Sequence, residues 1–365
     1  MSNPGRLFTT VRIGSLELRN RIARSATAER LSGPDGAPSE RVAEIYRRLA
    51  TGGVGLIITG HAFVLPGGRC HAQMTGAHDD ALIPPLARLA QAAHAGGARI
   101  ALQINHGGRA CDPAAVPELV GPSAIPAAPE RPVPRALGAE EIAEITHAFA
   151  AAAGRARAAG FDAVQIHAAH GYLLSQFLSP LANQRTDRYG GSLENRARLL
   201  FEVAGAIRGR VGPDFPLLVK LGVTDNEEGG LTVEEGAEVA SWLPGWGIDA
   251  VETSTGGKGS IQTRITRESR EAYLLPLARA VRARSTIPIL LVGGFRSRAV
   301  MERVLAEGIE IVSLSRPLIR EPDLPRKLAA AADARAECVS CNRCWPRGPD
   351  DGIACKRDEG REASG

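Results

Sequence analysis

The chain has 365 residues, 44% apolar, 23% charged and 4% aromatic, with 44 Lys and Arg against 40 Asp and Glu for a formal charge of +4. That apolar share excludes a long disordered or fibrous chain, and the length suits one large α/β barrel or two average domains. The small basic excess, with no Lys/Arg block, gives no footprint for nucleic acid, and no apolar run approaches the ~18 residues of a membrane helix. The opening MSNPGRLFTTVRIG lacks a charged region followed by an apolar one, so no secretory signal is read and the expected location is cytoplasmic.

In chain order, short apolar runs alternate with longer helical stretches. The strand candidates are 18–27, 53–60, 98–104, 161–167, 216–222, 248–256, 287–294 and 309–315. Most are near-continuous apolar runs, as parallel strands covered on both faces should be. Helices are expected around 40–50, 81–96, 139–159, from Ser192 towards Gly209, from the capping-box pair Thr232 and Glu235, and around 271–284, 297–307 and 322–332. Eight βα units predict an α/β fold of the (β/α)₈ TIM-barrel class over residues 1–332. An open doubly wound sheet is the alternative, against which no strand is followed by GxGxxG with a distant acidic residue. Residues 107–138 are Pro/Gly-rich and too long for a routine connection, which places them on the catalytic face of a barrel. Residues 333–365 form a cysteine-containing tail.

The densest chemistry follows the fourth strand, in HAAHGYLLSQFLSPLANQRTDRYGGSLENR (167–196). Strand ends and the loops beyond them build the active site of a barrel, and His167, His170 and Tyr172 stand there. Two imidazoles three positions apart can donate to one oxygen, and a nearby phenol can supply a proton. The bland alternatives are loop histidines satisfying carbonyls, or a zinc pair, for which no Cys or carboxylate lies close in sequence.

With these residues in view, 1 to about 330 closely resembles the Old Yellow Enzyme family of FMN-dependent NAD(P)H oxidoreductases. The resemblance implies a barrel with FMN at its C-terminal mouth. It implies that Ser25, Ala26 and Thr27 meet the flavin edge, that Gly60 lets the ring approach, and that Gln103 bonds its pyrimidine edge. Lys220 stands where the family usually has Arg, giving a point charge without a fork. Gly293, Gly294, Ser315 and Arg316 match the phosphate segments, Ser315 replacing a common glycine. His167 and His170 match the pair that binds the substrate's activating oxygen, and Tyr172 the proton donor. Arg109 is read as structural.

Of six cysteines, Cys338, Cys341 and Cys344 form C-x₂-C-x₂-C, with Cys355 ten residues on. Such thiolates can hold an iron–sulfur cluster or zinc. Relatives resembling 2,4-dienoyl-CoA reductase carry a [4Fe–4S] cluster at this point, with two gaps each one residue longer; metal-free thiols are the third reading. No catalytic role is read for Cys70 or Cys111.

The expected function is NAD(P)H-driven reduction of activated C=C bonds in a small-molecule substrate. The alternatives are an amine dehydrogenase or demethylase of the same fold, and a non-enzymatic redox sensor. The former often replaces the first His by Tyr, or binds FMN through a Cys that the stretch Ser25 to Thr27 lacks. The sequence leaves the substrate, the choice between NADH and NADPH and any homo-oligomer open, and the specificity loops are expected at 107–138 and 256–272.

Overall fold

Eight parallel strands close into a barrel: β1 (Ile22–Arg24), β2 (Leu56–Ile58), β3 (Arg99–Asn105), β4 (Ala163–Ala168), β5 (Leu217–Gly222), β6 (Ala250–Ser254), β7 (Ile289–Val292) and β8 (Ile311–Leu314). The computed structural model describes residues 5–257, 271–348 and 351–358. Each strand pairs with the next, β8 returns to β1 through Val312 opposite Ile22, and β2 pairs with β3 through Ile58 opposite Ala101. The (β/α)₈ expectation holds at every strand.

Helices α1 (Glu40–Thr51), α2 (Ile83–Ala95), α3 (Ala139–Ala158), α4 (Leu193–Val211), α5 (Val233–Trp242), α6 (Leu275–Arg284), α7 (Arg298–Ala306) and α8 (Leu324–Ala330) surround the strands. Their starts are written locally. Ser192 Oγ accepts the Asn195 N–H at 3.3 Å, and Thr232 with Glu235 forms the reciprocal capping box. Gly160, at φ +82°, turns the chain after α3.

Two apolar cores follow from strands buried on both faces. One fills the space between strands and helices; the other lies inside the barrel and includes Ala23, Leu56, Ala101, Ala163, Leu218, Ala250, Leu290 and Ile311. A hairpin, Val11–Ile13 against Leu16–Leu18, packs on the inner core and stops the barrel's lower end. The sequence reading missed it and ran the first strand from residue 18. The alternating V-R-I and L-E-L, buried-exposed-buried about Gly14 at φ +55°, are its signal.

Stepping two residues along each strand keeps the same inward face, and one step above the apolar layer that face turns polar. Ala101 leads to Gln103, Ala163 to Gln165, Leu218 to Lys220, Ala250 to Glu252 and Ile311 to Ser313. The 107–138 excursion leaves the end of β3 as expected and is tied down by Arg109, whose Nη1 donates to Ile125 O at 3.0 Å and Pro126 O at 3.3 Å. Most of the 256–272 loop lies outside the described residues. The tail packs on the barrel: Ala336 N–H donates to Arg296 O, Ile353 N–H to Glu29 O, and Glu337 pairs with Arg320 at 3.1 Å. Among the described residues no helix is long and apolar enough to cross a membrane.

Candidate active site

The barrel mouth holds a cavity of about 320 Å³, within the range of small-molecule sites. Of the residues expected at the site, Ser25, Ala26, Thr27, Gln103, His167, His170, Tyr172, Lys220, Gly294, Ser315 and Arg316 all line it. Strand register explains the gathering, since Lys220 lies opposite His167 on one side and Glu252 on the other, and Gln103 lies opposite Gln165.

The floor is a continuous polar network. Gln103 Nε2 donates to Gln165 Oε1 at 2.7 Å, and Gln165 Nε2 to Glu252 Oε2 at 3.1 Å. Lys220 Nζ lies 3.1 Å from the same carboxylate oxygen and donates to Ser25 Oγ at 2.9 Å, while Ser25 Oγ–H reaches Glu252 Oε1 at 2.7 Å. Gln165 and Glu252 were not singled out from the sequence. The available signal was a carboxylate inside the apolar run AVETS, because a buried charge needs partners.

One wall carries the His/His/Tyr set. His167 and His170 rings are T-shaped at 4.9 Å between centroids, and His167 and Tyr172 likewise at 4.9 Å. His61, also missed, closes the group 5.1 Å from the Tyr172 ring, and Asn105 Nδ2 bonds its Nδ1 at 3.0 Å. His170 holds φ +61°, uncommon for a non-glycine residue, and its N–H is anchored on Thr255 O at 2.8 Å.

Burial sets the protonation of this wall. It pushes His167 well below its ordinary value, helped by His170, His61 and Lys220, and takes His61 to about 4. His170 is exposed, yet the loss of water around its ring at the barrel mouth, with the Lys220 and His61 charges, pushes it down to about 3. Near neutral pH the three imidazoles are therefore uncharged, each with one N–H and one acceptor. His167 Nδ1 accepts the Ala169 N–H at 3.3 Å, leaving the proton on Nε2. His170 Nε2 lies 2.8 Å from Ser254 Oγ. Burial raises Tyr172, keeping the phenol protonated.

The opposite end suits an anion. Gly293 and Gly294, at φ +154° and +69°, free their backbone for a tight turn. Ser313 Oγ is buried without a partner in the cavity wall, and Arg316 bonds the tail's Asn342 while lining the same cavity.

Three of the expected assignments have further surroundings in the structure. Gly60 does not line the cavity; a Cβ there would lie 2.3 Å from Glu29 Oε2 and 2.7 Å from Thr27 O, so chain packing requires the glycine. The Thr27 hydroxyl is already engaged, with Arg24, with Ser25 O at 3.2 Å and with Ser315 Oγ at 2.9 Å. Finally, Cys344 feels Cys338, Cys355 and Cys341 as neighbours, but among the described residues no group of three or more His, Cys, Asp or Glu is set to hold a metal ion. Burial raises Cys338 and takes Cys344 to about 11, so with no metal bound these two are thiols at neutral pH.

Fold and site define a barrel oxidoreductase of the flavin-dependent class. The family model described as NADH:flavin oxidoreductase / NADH oxidase matches residues 6–334, and the chain belongs to that family. It is 37% identical over 342 residues to an NADH oxidase of Thermoanaerobacter brockii, covering 92% of this chain and 52% of that protein. It is 35% identical over 348 residues to an NADPH dehydrogenase of Bacillus licheniformis, covering 94% of this chain and 100% of the other. A solved 2-naphthoyl-CoA reductase complex superposes with a TM-score of 0.87 at 33% identity, over 93% of this chain and 54% of that one. The chain thus spans about half the length of the first two curated relatives it matches.

The family implies FMN, and the donor set fits it. A lysine, two carboxamides and a serine hydroxyl meet on the cavity floor, and the unpartnered Ser313 Oγ, glycine turn and Arg316 face the other end. The first group suits the heteroatom edge of an isoalloxazine, the second a phosphate.

Proposed function

We propose that this barrel reduces activated C=C bonds, in α,β-unsaturated carbonyls or nitroalkenes, at the expense of NAD(P)H. The observation that carries the reading is the grouping of His167, His170 and Tyr172 within 4.9 Å ring to ring on the wall of the cavity that Lys220 and Gln103 floor. FMN, when bound, supplies the hydride it has taken from NAD(P)H.

The chain's own residues do the rest. Lys220 and Gln103 hold the pyrimidine edge of the flavin, with Ser25, Ala26 and Thr27 beside its other edge. Gly294, Ser315 and Arg316 hold the phosphate, next to Gly293. The Nε2–H of His167 and one N–H of His170 bond the substrate's carbonyl or nitro oxygen. Being neutral, they donate strongly only as negative charge gathers there, which is where catalytic binding must act. Tyr172 then gives its proton to Cα, at the atom beside the activating group. The tail adds Cys344 and Trp345 to the cavity wall. The division into a barrel (1–332) and a dependent tail (333–365) belongs to this reading.

The test is anaerobic. FMN-loaded protein is bleached with NADPH, then mixed with an enone; recovery of the oxidised spectrum with saturated product supports the reading. Bleaching by an amine and not by NAD(P)H would instead assign an amine-oxidising enzyme of the same fold.

A further inference from the structure

The Lys220–Glu252 pair lies in the barrel interior, with 3% and 0% of the two side chains exposed. Taking both charges out of water is costly, and an apolar pair of similar volume would be at least as stable. The layer immediately below, with Leu218 and Ala250 at the inward positions, shows that this barrel does fill with apolar side chains. Stability therefore gives no account of the carboxylate.

Its bonding does give one. Glu252 Oε1 accepts from Ser25 Oγ, and Oε2 from Gln165 Nε2 and Lys220 Nζ. The carboxylate is pinned by side chains from two strands, β4 and β5, and from the residue after β1, and it fixes Lys220 in turn. An ammonium group has three donors on a flexible stem. Here one points to Ser25 Oγ and one to Glu252, which aims the remaining N–H and sets the local net charge near zero. Gln165 carries the same network on to Gln103.

We infer that Glu252 is a positioning residue that sets both the orientation and the effective charge of the lysine facing the flavin, and so the flavin's reduction potential. This rests on the reading that Lys220 faces the pyrimidine edge of FMN. A lysine alone would stabilise the reduced, more negative flavin; the carboxylate behind it cancels much of that attraction. Glu252 thus holds the potential low, which favours passing hydride on to weakly electrophilic alkenes.

The test measures the two-electron midpoint potential of FMN-loaded wild type, Glu252→Gln and Lys220→Met, together with the FMN dissociation constant of each. Glu252→Gln is expected to raise the potential by at least ~30 mV, a tenfold shift towards the reduced form, and Lys220→Met to lower it. Should Glu252→Gln not fold, Lys220→Met is compared with Lys220→Met/Glu252→Gln, where removing the carboxylate raises the potential by the same reasoning. If Lys220→Met lowers the potential while removing the carboxylate leaves it unmoved, Lys220 faces the flavin but Glu252 is merely structural, and the inference is overturned. If no variant moves the potential although FMN is bound, Lys220 does not face the flavin, and the underlying reading falls with the inference.

Discussion

Replacing Tyr172 by Phe removes one hydroxyl from the wall and leaves the aromatic packing against His61 and His167, at 5.1 and 4.9 Å, in place. Burial raises the Tyr172 pKa, so the wild-type phenol is protonated across the working pH range and its proton is available. A positioned acid contributes roughly 10²–10⁴-fold, equivalent to about 3–5 kcal/mol of transition-state stabilisation. Stopped-flow absorbance separates the two half-reactions. Oxidation of the reduced enzyme by an enone should slow by that factor, while reduction by NADPH, which needs no proton from this residue, should change by less than about threefold on the same scale. Equal losses in both half-reactions would mean that the substitution merely disturbs the site. No loss in either would refute the assignment of the proton donor.

Other perturbations have equally definite outcomes. His61, His106 and His167 are buried with lowered pKa values, the first two at about 4. The unfolded chain takes up protons on them near pH 6.5 while the folded chain does not, so stability falls with pH from about 6.5 down to about 4, by up to ~1.4 kcal/mol per pH unit for each histidine. Urea unfolding midpoints should decline steeply over that window, and a flat profile would contradict neutral burial. Gly60→Ala should destabilise the fold by about 1–3 kcal/mol through overpacking against Glu29 and Thr27. Thermal denaturation reads this, whereas a loss of FMN affinity at unchanged stability would return Gly60 to the flavin. Ser313→Ala should weaken FMN binding by about 1 kcal/mol, roughly fivefold, by removing the unpartnered hydroxyl. Isothermal titration against riboflavin as well as FMN shows whether the loss depends on the phosphate.

The barrel was legible because each parallel strand is an apolar run with its helix behind it, and those runs need no long-range information to be read. The hairpin Val11–Leu18 escaped because Leu18 merges by sequence into the strand that follows. In the site, His167, His170 and Tyr172 were readable since they stand together in one loop and carry chemistry by residue type. Glu252 and Gln165 were not, because their meaning lies in register: only closure of the sheet brings Glu252 level with Lys220 and Gln165 level with Gln103. Thr27 shows the same limit in reverse. Its hydroxyl was expected at the flavin, and the barrel also supplies it with partners in Arg24 and Ser315, which only the closed sheet reveals. The tail's cysteines were visible as a motif, but whether four thiols close around an ion is a matter of angle and distance that spacing alone does not fix.

The central claim is tested most directly by the visible spectrum of the purified, FMN-loaded protein under anaerobic conditions. The account predicts that NADPH bleaches the flavin bands and that an α,β-unsaturated ketone restores them with one equivalent of reduced product. Flavin bands that NAD(P)H leaves unchanged, or a bleached flavin that no activated alkene reoxidises, would contradict it.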